Sequence, residues 1–105
     1  MHECKYSVKV DSAAYEKMYE HFRFLARISV LAAERLYAAY EEALRFLEYS
    51  PEICPSYISK NETDVDLKFK LFGKRYRIVF EIIDNAVYVY DVQDCRQDMD
   101  KSLVD

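Results

Sequence analysis

The chain has 105 residues, a formal net charge of −4 and 51% hydrophobic residues, which describe a folded domain rather than a disordered segment. Gly73 is the only glycine, so a glycine-rich loop that binds nucleotide phosphates is excluded. The apolar runs are short and interrupted by charges, and the first residues lack the apolar core of a signal peptide, so we expect a cytoplasmic protein without membrane contact.

The first half of the sequence predicts one strand followed by two helices. Residues 4–10 alternate in polarity as a strand does, and Asp11 or Ser12 then offers a side chain able to cap a helix. Apolar residues at helical spacing predict helices over residues 13–28 and 31–48, with a break at Ser29 and Val30. Without glycine or proline between them, the alternatives are one bent helix or a hairpin, and we favour the hairpin because it packs on a strand.

The second half predicts three strands joined by tight turns. After an irregular segment over residues 50–66, residues 67–71 and 75–82 alternate around Gly73-Lys74, which is a two-residue hairpin signal. A further strand over residues 86–92 completes the meander. Pairing Phe72 with Arg75 places the apolar side chains on one face of the hairpin and the basic ones on the other: Lys68, Lys70, Arg75 and Arg77.

This order of elements predicts an α+β fold, β-α-α-β-β-β, with a helical hairpin packed on one face of a small, mainly antiparallel sheet. No internal repeat or change of composition divides the chain, so residues 1–105 are expected to form a single domain, with an acidic polar tail over residues 97–105. Because the helices cover the apolar face, the basic face is expected to stay open or to line a groove.

The cysteines and histidines are too few and too scattered to predict a metal site. Cys4, Cys54 and Cys95 are widely separated in the sequence, and no Cys-x-x-Cys pair exists. This spacing favours reduced structural thiols over a disulfide framework or a zinc site, and we expect neither metal nor cofactor. The scarcity of histidine also argues against a nucleophile that is activated by histidine.

Positive charge is concentrated in the predicted hairpin. Residues 67–80 contain five basic and no acidic side chains, although the whole chain is acidic. Such a segment indicates either a local anion site or a solvated sheet face. Crowded cations would stabilise a pentacovalent phosphate, and a lysine with cationic neighbours can act as a general base. This chemistry permits RNA cleavage without a metal, by attack of the ribose 2′-OH on the adjacent phosphate.

Three stretches of the chain together resemble the RelE/ParE family of toxins from bacterial type II toxin–antitoxin modules. Residues 43–51, ALRFLEYSP, resemble the end of that family's second helix and its terminating proline. Residues 67–82, LKFKLFGKRYRIVFEI, resemble the central hairpin of the family. Residues 87–92, VYVYDV, followed by Arg96, resemble its last strand and the arginine after it. The resemblance extends over residues 5–98.

This resemblance implies a cognate antitoxin as partner and a toxic activity. In the RelE branch the toxin is an endoribonuclease that cuts mRNA on the ribosome. The residues that match its catalytic positions are Lys68, Lys70, Arg77 and Arg96, with a lysine as base and the arginines stabilising the transition state. Lys74 and Arg75 are expected to contact RNA, and Tyr88 and Tyr90 either stack on bases or pack within the sheet.

Two other interpretations stay open at the level of the sequence. In the ParE branch the target is DNA gyrase, and the toxin is a protein-binding inhibitor rather than a nuclease. Ribonuclease members commonly carry a tyrosine or histidine near the C-terminus as acid or base, whereas residues 93–105 contain neither and carry four aspartates. A non-toxic member that keeps its antitoxin-binding surface is therefore the third alternative. Cys95 stands where the family often has glycine, and the sequence assigns it no role.

Overall fold

The computed structural model describes residues 5–58 and 66–96. The predicted order of elements, and with it the predicted α+β fold, is confirmed. The predicted tail over residues 97–105 lies outside the described residues. Neither helix is long and apolar enough to cross a membrane. The elements are β1 (Ser7–Val10), α1 (Ser12–Ile28), α2 (Val30–Tyr49), a short 3₁₀ helix (Pro51–Ile53), β2 (Leu67–Phe72), β3 (Tyr76–Ile83) and β4 (Ala86–Asp94).

One serine ends α1 and begins α2. Ser29 has an extended backbone with φ of −157°, and its N–H donates to the carbonyl oxygen of Leu25 over 2.9 Å. Its Oγ accepts a hydrogen bond of 3.1 Å from the N–H of Ala32 in the first turn of α2. At the other end of α1, Asp11 caps the helix by accepting from the N–H of Ala13 over 3.1 Å. The caps at Ser29 separate the two helices, so the predicted hairpin is confirmed and the single bent helix is not formed.

β4, the last of the described strands, lies inside the sheet. The strand order is β1-β4-β3-β2, with β1 parallel to β4 and the other pairs antiparallel. Because β1 is short, it pairs only with Ala86–Val89 of β4, and α1 runs beside the remainder. There the Nε2 of His21 lies 2.9 Å from the carbonyl oxygen of Val92, to which it donates. The histidine therefore satisfies a backbone group that would otherwise lie on an open strand edge.

The pairing of β2 with β3 differs by one residue from the prediction. Phe72 pairs with Tyr76 instead of Arg75, so residues 73–75 form a three-residue loop. Gly73 and Lys74 both have positive φ, 57° and 73°. A Cβ on Gly73 would lie 3.1 Å from the Cδ1 of Leu36 on α2. The left-handed backbone and the close approach to α2 together explain why glycine occupies this position.

Because of this one-residue shift, each side chain of β2 points to the face of the sheet opposite to the predicted one, whereas the side chains of β3 point as predicted. We call the surface under the helices the helix face; it carries Phe72, Tyr76, Ile78 and Phe80 in the main core. Lys68 and Lys70 alternate with the outward residues of β2 and therefore share the helix face. The opposite surface, the outer face, carries Leu67, Phe69, Arg77, Val79 and Gln93. The prediction that the four hairpin cations share one face is therefore wrong.

A second, smaller core explains this register. Tyr57 packs with Leu67 and Val79 on the outer face, and Phe69 and Tyr90 pack against the three. The segment that carries Tyr57 is held along β2, because the N–H of Tyr57 donates to the carbonyl oxygen of Leu67 over 2.8 Å. In the predicted register Leu67 and Phe69 would face the helices, and Tyr57 would lose both of them as apolar partners. Burial of these side chains on the outer face outweighs the simple separation of apolar and basic residues.

Candidate functional site

The two lysines of β2 lie in the space between β2 and α2. The Nζ of Lys68 donates to the carbonyl oxygen of Cys54 over 3.1 Å, and the Nζ of Lys70 lies 4.1 Å from the ring centre of Phe46 on α2. Burial raises the pKa of the Cys54 thiol, and the charges of Lys70 and Lys68 offset this in part. Both ammonium groups are thus engaged with the helix side of the molecule, their stems covering apolar surface.

Arg77 lies on the opposite side of the sheet. Its Nε donates to the Oε1 of Gln93 over 2.6 Å. Its guanidinium carbon lies 4.9 Å from the ring centre of Tyr57 and 5.7 Å from that of Phe69. These distances are typical of cation–π contacts. Arg77 and the two lysines of β2 therefore do not converge on one phosphate-sized site.

Gln93, the partner of Arg77, belongs to a buried network of polar side chains. Gln93, 2% exposed, donates from Nε2 to the hydroxyl of Tyr57 over 3.0 Å and to the Oδ2 of Asp91 over 2.9 Å. Asp91, 0% exposed, forms an ion pair of 3.0 Å with the Nζ of Lys17 on α1. Sequence patterns did not identify this network. In the sequence, the network is indicated only by Asp91 and Gln93, two polar residues that interrupt the apolar pattern of β4.

The cations around the hairpin loop are held by the end of β4. Arg75 forms an ion pair with Asp94 in which Nη2 and Oδ2 are 3.1 Å apart, and its guanidinium carbon lies 5.3 Å from the ring centre of Tyr76. The backbone N–H of Arg96 donates to the other carboxylate oxygen of Asp94 over 3.0 Å, while the Arg96 side chain is exposed. Lys74 is exposed at the tip of the loop. Arg75 and Arg96 are thus held by Asp94, whereas Lys68 contacts Cys54 and Arg77 contacts Gln93.

The half-buried Cys95 joins the loop to β4 through its backbone, because its N–H donates to the carbonyl oxygen of Arg75 over 2.7 Å. Cys54 is a buried free thiol. Among residues 5–58 and 66–96, no group of three His, Cys, Asp or Glu side chains could hold a metal ion.

Tyr88 and Tyr90 belong to the outer face of β4. The pairing of β3 with β4 shifts between Val79 and Phe80, so Tyr90 is an extra residue opposite that step. Its hydroxyl donates to the Oε1 of Glu81 over 2.6 Å, and its ring packs on the small core. Tyr88 is half-buried and pairs with Glu81 across the strands. The role of both tyrosines in stacking on bases stays a prediction.

The bond between Tyr90 and Glu81 predicts a late ionisation. Three causes raise the pKa of Tyr90 from 10.0 to about 12: first the hydrogen bond to Glu81, then burial of the hydroxyl, then the negative charge of Glu81. The folded protein holds this proton more tightly than the unfolded chain, so the stabilising contribution is complete below pH 10 and is lost as the pH rises towards 12. We expect the Tyr90→Phe variant to lack one late step in a phenolate absorbance titration, with circular dichroism reporting the fold at each pH.

Tyr40 provides the control for this titration. Burial raises its pKa to about 12 as well, but Tyr40 lies in the main core, away from Glu81. Glu81→Gln should lower the pKa of Tyr90 and leave the Tyr40 step in place. If the Tyr90 step were unchanged in Glu81→Gln, burial rather than the carboxylate would be its cause.

Comparison with known proteins gives a match that spans most of the chain. The family model described as the ParE toxin of the type II toxin–antitoxin system, parDE, matches residues 8–99. No curated protein matches the chain. The matched region includes both helices, β2, β3, β4 and all of β1 except Ser7, together with every site residue that the sequence predicted.

Proposed function

Because the chain belongs to the ParE toxin family of type II toxin–antitoxin systems, we propose that it is a toxin that acts by binding a protein target, DNA gyrase, and not by cutting mRNA. The observation that carries this choice is the register of β2 and β3, which separates Lys68 and Lys70 from Arg77 by the thickness of the sheet. A metal-free ribonuclease needs a base and cationic groups around one phosphate.

The surroundings of the cations support the same choice. Lys68, Lys70, Arg75 and Arg77 each make a contact inside the protein, through a carbonyl, a ring, a carboxylate and an amide respectively. Affinity for RNA at physiological salt depends on several free cations that neutralise phosphates. The acidic net charge of −4 adds a long-range repulsion of nucleic acid.

The family implies an antitoxin partner, and the helical hairpin offers it a surface. Large apolar side chains are exposed at the turn between the two helices: Ile28 at 69%, Val30 at 65% and Leu31 at 57%. Apolar side chains grouped in this way on a small protein mark an interaction surface. We assign this surface to the antitoxin, which leaves the part of the outer face formed by β2 and β3 for the target.

An inducible-expression assay in a bacterial host tests the proposal. We expect synthesis of DNA, followed by pulse labelling, to stop before synthesis of protein, and purified toxin to inhibit supercoiling by gyrase. Lys70→Gln should keep full toxicity, since Lys70 faces Phe46 and not the target. Co-expression of the open reading frame that neighbours the toxin gene, where the antitoxin is expected, should restore growth.

Other outcomes separate the alternatives. Early loss of protein synthesis, together with loss of toxicity in Lys70→Gln, would establish the ribonuclease and overturn the proposal. Normal growth with folded protein present in the cells would identify a non-toxic member. Circular dichroism of each purified variant shows whether a loss of toxicity reflects loss of the fold.

A further inference from the structure

Arg77 is fixed in one orientation but keeps its two terminal nitrogens for a ligand. Its Nε is taken by Gln93 at 2.6 Å, and the rings of Tyr57 and Phe69 lie against its guanidinium. No described residue accepts a hydrogen bond from its Nη1 or Nη2. Arg77 is half-buried, so its stem is covered while the end of the guanidinium reaches the outer face.

The network behind Arg77 determines which atom of Gln93 faces it. The Nε2 of Gln93 is committed to the hydroxyl of Tyr57 and to Asp91, at 3.0 and 2.9 Å. Its Oε1 is therefore the atom that points to Arg77, and the amide cannot turn without breaking both bonds. Asp91 is fixed in turn by Lys17. Contacts from Lys17 on α1 through Asp91 and Gln93 on β4 therefore fix the guanidinium of Arg77. A guanidinium that is already fixed binds a ligand at a lower entropic cost than that of a mobile arginine.

The neighbours of Arg77 favour a protein ligand over a nucleic acid. Two terminal nitrogens in one plane match the two oxygens of a carboxylate or a phosphate. Leu71, which is 53% exposed, pairs with Arg77 across the strands, and Phe69 lies beside it. One arginine among aromatic and aliphatic side chains is typical of the energetic centre of a protein–protein interface. Nucleic acid binding would need more cations here, and the other charged residue of β3 on this face is Glu81.

We propose that Arg77 binds the side-chain carboxylate of an aspartate or glutamate on a partner protein, and that Leu71 and Phe69 contact apolar residues next to that carboxylate. This inference rests on the proposed function in one respect, that the partner is a protein. It goes beyond it by naming the anchoring residue and the chemical group that it recognises.

Photo-crosslinking from the position of Leu71 tests the inference in cells that briefly express the toxin. Leu71 is replaced by p-benzoylphenylalanine, and the crosslinked peptide is identified by mass spectrometry. We expect a peptide with an acidic residue close to the crosslink. Arg77→Met should reduce the crosslink yield about tenfold or more. Arg77→Lys should reduce it as well, because an ammonium group cannot present two parallel donors.

Lys9→Gln is the matched control. Lys9 is an exposed cation on β1 that pairs with Tyr88 on the same outer face, and its removal should leave the yield unchanged. Replacing the acidic residue of the partner by its amide should cause the same loss as Arg77→Met, with little further loss when the two changes are combined. Circular dichroism of both Arg77 variants confirms that they are folded.

Several results would overturn the inference. These are crosslinks to RNA, no crosslink at all, a peptide without an acidic residue, or a yield that does not depend on Arg77. If the acidic peptide came from a protein other than gyrase and its crosslink required Arg77, the gyrase proposal would fail while the carboxylate site would stand.

Discussion

Replacing Lys17 by methionine is expected to lower the free energy of unfolding by about 3–5 kcal/mol, a large share of the stability of a domain of this size. The Lys17 side chain is 11% exposed and that of Asp91 is fully buried, with 3.0 Å between Nζ and Oδ1. Methionine preserves the packing of the stem and removes the charge. A buried carboxylate then loses its counter-charge, which costs more free energy than the intact pair contributes. Urea unfolding followed by circular dichroism measures the difference.

The double variant Lys17→Met/Asp91→Asn separates charge from packing. It removes both charges and should recover most of the stability lost in Lys17→Met, because no uncompensated ion remains. Lys9→Met removes an exposed lysine and should change stability by less than about 0.5 kcal/mol. A loss below about 1 kcal/mol in Lys17→Met would show that Asp91 does not depend on this ion pair.

Replacing Phe80 by alanine is expected to cost about 3–5 kcal/mol. Phe80 has the largest fully buried side chain within residues 5–58 and 66–96, and it lies in the main core between the helices and the sheet. Alanine leaves a cavity that the paired strands on either side cannot close. Thermal and urea unfolding should both show the loss, and a fall of less than about 1.5 kcal/mol would mean that the core can collapse around this position.

Phe80→Leu is the companion variant. It keeps most of the buried volume and should cost less than about 1.5 kcal/mol. Equal losses in Phe80→Ala and Phe80→Leu would point to an effect of the aromatic ring itself rather than of the cavity.

The sequence was sufficient for the elements because their signals are local. The cap at Asp11, the break at Ser29 and the alternation of the three later strands each depend on residues within a few positions. The observed helix and strand bounds accordingly lie within three residues of the predicted ones. The family resemblance rests on the same local stretches, and the match over residues 8–99 confirms it.

The register of the hairpin could not be predicted from the sequence, because it depends on a contact with a residue outside the hairpin. Alternation in β2 is compatible with either facing, since its two faces carry Leu67 and Phe69 on one side and Phe72 on the other. The choice is made by Tyr57, which lies in the irregular segment and completes the outer core. A pattern within residues 67–82 contains no information about that contact.

The polar network was missed for the same reason. Lys17 and Asp91 are 74 positions apart in the chain, and Gln93 and Tyr57 are 36 apart. The basic residues that could be seen as a run in the sequence are distributed over two faces and a loop. The run of basic residues in the sequence therefore shows that cations are present, but it does not show which of them lie close together in the fold.

The position of β4 sets the time at which this protein acquires its shape. β4 lies between β1 and β3 and is the last of the described strands to be synthesised, so β1 has no partner in the sheet until Ala86–Val89 has been made. The nascent chain can form the helical hairpin early. The helix face and the outer face both need the complete sheet, so neither can form before residue 94 has been made. A chain cut before Ala86 therefore leaves β1 and β3 without the strand that joins them, and we expect such a fragment not to assemble the sheet.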